Sequence, residues 1–198
     1  MFDPVSLIQT FGYLGLFAII FAESGILLGF FLPGDSLLFT AGFLASQRLL
    51  DIRALIPLLF LAAFAGDSVG YLFGKKAGPK VFSRPKSVWF NPENVERTKR
   101  FFERYGTKTN VIARFIPVVR TFAPIMAGVG EMRYRTFVLY NALGAFLWAV
   151  GLTSLGYFFG SIIPNADRYI LPVVALIIIV SLVPPVWEFL KERHRNKK

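Results

Sequence analysis

The sequence predicts an all-α integral membrane protein of two inverted repeats, each a re-entrant helical hairpin plus a transmembrane helix. An interfacial amphipathic helix joins the repeats, and a C-terminal transmembrane helix follows. Three observations predict this architecture. The 198 residues are 55% hydrophobic and 17% charged, with mean hydropathy +0.55, whereas an ordinary globular chain carries about 25% charged residues. Apolar segments recur along the chain, and two of them are broken by proline beside charge. Finally, an offset of 86 residues pairs Ala41-Gly42 with Ala127-Gly128, and Gly70-Tyr71-Leu72-Phe73-Gly74 with Gly156-Tyr157-Phe158-Phe159-Gly160.

The apolar segments run Phe11–Leu32, Ser36–Leu50, Ile52–Phe73, Asn110–Gly130, Thr136–Phe159 and Tyr169–Leu190. Spanning the hydrocarbon takes about 20 apolar residues, and the third, fifth and sixth segments satisfy that directly. Ser36–Leu50 is too short. Phe11–Leu32 carries Glu23 and runs into Pro33-Gly34, and Asn110–Gly130 contains Arg114, Pro117, Arg120 and Pro124. Proline removes a helix donor and clashes with the preceding turn, and broken backbone at membrane depth survives only inside protein or along a wet cavity. Phe11–Gln47 and Asn110–Gly130 are therefore read as two re-entrant hairpins, with apices near Pro33-Gly34 and Pro117–Arg120. Phe11–Leu32 crossing completely is the alternative for the first.

The linker holds one amphipathic helix. Asn91 is a natural N-cap, Pro92 suits the first helical position, and Gly106 can end it. Val95, Thr98, Phe101, Phe102 and Tyr105 share a face, so the helix lies in the headgroup layer or packs on the protein. The expected organisation is a single membrane domain, 1–198. Repeat one covers about 11–78, the linker 79–106, repeat two about 107–160 and the C-terminal helix 168–190. Across Phe31–Gly74 and Pro117–Gly160, ten of 44 pairs are identical. One hairpin plus one crossing helix per unit turns the second unit upside down, as in secondary transporters.

Charge placement sets orientation. The formal net charge is +10, and 15 of the 22 Lys+Arg lie in Lys75–Lys108 and Lys191–Lys198. A nucleic-acid partner is one reading of such a balance. Flanking apolar segments favour the other, in which cytoplasmic loops gather Lys and Arg. Both clusters then face the cytoplasm, Met1 lies outside, and no nucleic acid is expected. Met1–Thr10 has no basic region and no A-x-A-like site, so no cleavable signal is expected.

The absence of Cys and the lone His194 exclude disulfides, thiolate nucleophiles, His-based triads and Cys- or His-ligated metal sites. No cofactor or metal is expected. With no nucleophile–base pair, an enzyme acting on lipid phosphates is the least favoured reading.

Chemistry is concentrated in four charges within apolar segments: Glu23, Asp35, Arg114 and Arg120. Each costs about 2.5–3.5 kcal/mol at the bilayer centre, and as a set they are formally neutral. On a continuous helix Glu23 and Asp35 would stand about 18 Å apart along the axis, and a bend at Pro33-Gly34 shortens that. Arg114 and Arg120 would point about 120° apart, and a break at Pro117 can re-aim them. Two guanidinium forks suit a phosphate, and carboxyls in low dielectric suit proton carriage. Structural readings stand beside these: Asp35 as cap of the returning helix, Glu23 as an arginine's partner, the arginines as counter-ions. Glycines at 66, 70, 74 and 78 make a ridge for close helix approach, and their spacing is not that of a phosphate loop. Asp67 then bonds across that contact or lines the cavity, while Asn141 and Trp148 read as packing and interface residues.

These residues carry a resemblance. Glu23 is followed twelve positions later by Asp35 in Pro-Gly-Asp. Further on come Gly66-Asp67-x2-Gly70-Tyr71-x2-Gly74-Lys75 and Arg114-Phe-Ile-Pro117-x2-Arg120-x3-Pro124-x2-Ala-Gly128. Together with Asn141-x2-Gly144-x3-Trp148, they make the chain similar to the DedA family, whose relatives include VTT-domain lipid scramblases. The resemblance covers about Phe11–Leu190. It implies paired re-entrant loops, dependence on the proton-motive force and movement of lipids, including undecaprenyl phosphate or aminophospholipids, across the membrane. It also implies that the family's essential acidic and arginine pairs are Glu23 and Asp35, and Arg114 and Arg120.

The expected function is therefore proton-motive-force-dependent lipid transport at the cytoplasmic membrane. Arg114 and Arg120 hold the lipid phosphate, Glu23 and Asp35 couple protons, and Pro33, Gly34, Asp67, Pro117 and Asn141 support them. The expected partners are phosphate-bearing membrane lipids and protons. A proton-coupled small-cation antiporter and a non-transporting membrane scaffold or assembly factor are the rivals.

Overall fold

The computed structural model describes residues 4–26, 33–81, 114 and 117–162. Every regular element among them is helical. Helix α1 runs Pro4–Gly25, α2 Gly34–Ser46, α3 Ile52–Val81, α4 Pro117–Val129, α5 Tyr134–Ala145 and α6 Gly151–Ile162. A π-helical turn, Phe146–Val150, joins α5 to α6 without a break.

Local chemistry sets the boundaries. α1 starts on Pro4 and α4 on Pro117, a position where the missing N–H costs nothing. The expected breaks are thus helix starts: Pro33 immediately precedes α2, and Pro117 opens α4. α1 stops at Gly25, short of the Leu32 expected. Asp51 accepts the Arg53 N–H at 2.9 Å and caps α3. α2 and α4 are both 13 residues long. Both end in a left-handed residue, Arg48 (φ 63°) and Glu131 (φ 57°). Behind each, a 6→1 bond closes the turn, from Leu49 N–H to Leu44 O at 3.2 Å and from Met132 N–H to Ala127 O at 3.0 Å.

α2 and α4 each pack on a long helix from the other half of the chain. α2 lies along α6, while α4 and α1 both lie along α3. Glycine makes this possible. A Cβ on Gly25 would sit 2.7 Å from Gly66 O, and Cβ atoms on Gly74 and Gly128 would strike the backbones of Ile125 and Tyr71. On the other side, Gly42 and Gly156 meet the backbones of Thr153 and Phe39 in the same way. The expected ridge therefore serves two partners, with Gly66 against α1 and Gly74 against α4.

One apolar core joins Ile20, Leu38, Leu55, Leu59 and Trp148, and a smaller one joins Tyr71, Ala127 and Phe137. The Tyr71 ring stacks on Phe137 at 4.4 Å, and its hydroxyl donates to Met132 O at 2.5 Å. Among the described residues, two stretches are long and apolar enough to cross a membrane: Ile52–Ala77 and Tyr134–Ile162. Their outward faces expose Leu72, Phe73, Leu139, Phe146 and Phe158, a surface suited to lipid tails. The expected Asn91–Gly106 and Tyr169–Leu190 helices, and the chain at 27–32 and 115–116 beside the two apices, lie outside the described residues.

Candidate functional site

Five charged side chains meet between the long helices. Glu23 comes from α1, two residues before its end. Asp35 occupies the first turn of α2, and Asp67 the middle of α3. Arg120 lies in the first turn of α4, and Arg114 three residues before that helix begins. Glu23, Asp67, Arg114 and Arg120 are buried, whereas the Asp35 side chain is 51% exposed.

Arg120 bridges two helices. Its Nη1 donates to Asp35 Oδ1 at 2.7 Å, and its Nη2 pairs with Glu23 Oε1. Gly34 lets Glu23 in, because a Cβ there would overlap the Glu23 carboxyl. The turn after Pro33 therefore places Glu23 and Asp35 on one guanidinium. The N-cap position of α2 is Pro33, and Asp35 lies in the first turn. Its carboxylate turns to Arg120 and also favours the helix dipole from the first turn. Pro124 lacks the N–H that would bond to the Arg120 carbonyl, which loosens α4 just beyond Arg120.

Arg114 is held differently. Its Nη2 meets Asp67 Oδ2 at 2.5 Å and Ala63 O at 3.3 Å, and its Nη1 donates to Asn141 O at 3.1 Å and Asn141 Oδ1 at 3.3 Å. Asn141 also donates to Phe64 O at 3.0 Å and Ser68 Oγ at 3.3 Å. The long helices are thus stitched together around this guanidinium.

Two features depart from the sequence reading. The neutral set of four becomes a set of five, with three carboxyls facing two guanidiniums, because Asp67 both pairs with Arg114 and lines the cavity. By sequence Trp148 reads as a packing and interface residue. Its indole N–H donates to Asp35 Oδ1 at 2.6 Å, and its ring lies 4.4 Å from the Arg120 guanidinium carbon and 5.6 Å from that of Arg114. Both distances suit cation–π attraction. Trp148 sits in the π-helical turn, a distortion often found at functional sites. Its signal in the sequence was an indole N–H in an apolar stretch, a donor that needs a partner once buried.

A cavity of about 10 Å³ lies among Asp67, Arg114, Arg120, Ala123, Pro124 and Asn141, room for about one water molecule. Asp67 Oδ1 and the Nε atoms of both arginines lack a hydrogen-bond partner among the described residues. No group of three or more metal-ligating side chains occurs among those residues. Among the described residues, the arrangement brings three carboxyls to two guanidiniums, each held by at least one carboxylate.

Residues 32–158 match the VTT domain. The chain is 45% identical over 184 residues to Protein DedA of Escherichia coli (strain K12), covering 92% of this chain and 84% of that protein. It is 38% identical to an uncharacterized membrane protein of Mycobacterium leprae, covering 91% and 82%. It is 35% identical to the inner membrane protein YghB of Escherichia coli (strain K12), covering 79% and 71%. No solved structure gives a significant match. A domain match over more than half of the chain and a relative this similar along most of both lengths agree with the motifs around Glu23, Asp67, Arg120 and Trp148: the chain is a membrane protein of the DedA family.

Proposed function

We propose that the protein is a proton-motive-force-dependent lipid transporter. It acts as a flippase or scramblase for a phosphate-bearing lipid such as undecaprenyl phosphate or a phospholipid. It is a multi-pass protein of the cytoplasmic membrane, built of two inverted repeats, each a re-entrant hairpin plus a crossing helix. The packing of α2 on α6 and α4 on α3 across the two halves of the chain, and the equal lengths of α2 and α4, support the repeat. The name of the inner membrane relative supports the location.

One observation carries the function: among the described residues three carboxyls converge on two buried guanidiniums, and one of those carboxylates is half exposed. Buried guanidiniums must be neutralised, and phosphate is an anion that fits their fork. A phosphate headgroup arriving at the cluster takes a carboxylate's place, and the displaced carboxyl accepts a proton. Departure of the headgroup reverses both steps, while the lipid tails stay in the bilayer.

The test is headgroup translocation in proteoliposomes across a panel of lipids, with and without a pH gradient. Translocation of phosphate-bearing lipids that rises with the gradient is the expected result. Gradient-driven cation exchange without lipid movement would favour the antiporter, and neither activity would favour the scaffold. For the hairpin, single cysteines at Thr10 and Gln47 should react with an impermeant thiol reagent from the same side. Labelling from opposite sides would refute the re-entrant arrangement of the first repeat.

A further inference from the structure

The two arginines differ in what a phosphate would have to displace. Arg114 is enclosed by Asp67, Ala63 O and two oxygens of Asn141, all on the long helices. The cavity that both arginines line has room for about one water, so a phosphate group has to take the place of an existing partner. Arg120 shares its Nη1 with Asp35, whose side chain is half exposed and stands at the start of a helix with no side-chain cap. Trp148 Nε1 donates to the same oxygen, Asp35 Oδ1, at 2.6 Å. A charged donor and a neutral one therefore converge on a single anionic oxygen at the cluster's open edge.

We propose that Arg120 Nη1 and Trp148 Nε1–H form the seat for one oxygen of a phosphate monoester, and that Asp35 occupies this seat as an internal stand-in for the ligand. This rests on the transport reading above and narrows it. Exchange takes place where Asp35 can leave, and Arg114 with Asp67 holds the frame. The indole ring over the Arg120 guanidinium keeps the fork aimed when Asp35 departs. Trp148 thereby becomes a ligand of the headgroup, and the π-helical turn has a reason to present it. Opposite charges at the seat are Arg120 and, behind it, Glu23. Arg114, paired with Asp67, is the other guanidinium against the Trp148 ring, 5.6 Å from its centroid.

The test uses the full chain in maltoside micelles and follows dodecyl phosphate by ³¹P NMR titration, with inorganic phosphate as a second probe. Asp35→Asn weakens the internal competitor and should tighten dodecyl phosphate binding about tenfold, the worth of one hydrogen bond to a charged group. Trp148→Phe keeps a ring but loses the donor, and should weaken binding by about the same factor. Removing the second pair as a neutral unit, with Arg114→Gln and Asp67→Asn together, should cost less than Trp148→Phe. Preference for dodecyl phosphate over inorganic phosphate supports a lipid headgroup as the ligand. Equal binding of both would overturn that assignment. Asp35→Asn binding no tighter than the parent, or the double variant losing more than Trp148→Phe, would overturn the seat. The two readings fail separately. Lipid transport without dodecyl phosphate binding rejects the seat alone, while the expected binding pattern without transport rejects the transporter alone.

Discussion

Arg114 and Arg120 are equivalent as residue types and opposite in circumstance. Every hydrogen-bond and ion-pair partner of Arg114 among the described residues comes from α3 or α5, well inside the two long apolar stretches. Arg120 is held by Glu23 and Asp35, which stand at the end of α1 and the start of α2, and one of those carboxylates is half exposed. An ion pair enclosed by protein on all sides is a fastener, because separating it strands a charge in low dielectric. A pair with one member open to the outside can trade that member for another anion at little cost. The lesson is that counting intramembrane charges does not reveal which one works. The freedom of the counter-ion does.

That contrast is easiest to break at Asp67. Asp67→Ala leaves Arg114 buried with no carboxylate and should cost about 3–5 kcal/mol, enough to abolish most recovery of folded protein. Asp35→Ala should cost less than Asp67→Ala, since its partner Arg120 keeps Glu23 and the lost carboxylate is itself half exposed. Chemical unfolding in detergent measures both. If the two losses are equal, the division into fastener and exchangeable pair is wrong.

Neutralising both members sharpens the point. Arg114→Gln combined with Asp67→Asn should recover about 1–3 kcal/mol relative to the sum of the single changes. A strictly additive double variant would show that the pair does not act as a unit.

Lysine substitutions separate the sites by readout. Arg120→Lys keeps a cation but cannot donate as a fork to Glu23 and Asp35 together, so transport should fall at least about tenfold with normal expression. Arg114→Lys loses hydrogen bonds to Asn141 and Ala63, and should lower stability by roughly 1–3 kcal/mol before it affects transport in the folded fraction. Unimpaired transport by Arg120→Lys would leave only a point-charge role there.

The smallest effect on stability is expected from the amides. Asp35→Asn and Glu23→Gln preserve shape, so folding and insertion should persist. The dependence of transport on a pH gradient should nevertheless vanish, because an amide takes up no proton on displacement. An Asp35→Asn protein with the parent's transport and pH response would assign Asp35 to structure and leave Glu23 as the candidate proton carrier.

Much of the site was legible because charge in an apolar segment is conspicuous. Glu23, Asp35, Arg114 and Arg120 stood out against their neighbours, and their formal neutrality promised mutual pairing. The pairing itself was not legible. Asp67 sits in a glycine-rich helix where a helix–helix contact explains it equally well, and only the packing of α3 against the chain at Arg114 makes it a counter-ion. Trp148 and Asn141 were hidden for a different reason: a single indole or amide among apolar residues has many roles in packing, and a hydrogen bond is defined by its partner.

By itself, the sequence determined the membrane character, the long helices, the starts at Pro33-Gly34 and Pro117, and the glycine ridge. These follow from hydropathy, from the missing proline donor and from the missing glycine side chain, all properties that a residue carries wherever it is placed. Only the tertiary structure decided that Arg120 would take Glu23 and Asp35, that Arg114 would take Asp67 and Asn141, and that both guanidiniums would lie against the Trp148 ring. Those choices depend on distances between residues up to 113 positions apart, and local chemistry cannot set a distance across the fold. It can require that a buried charge find a partner, and packing then chooses which one.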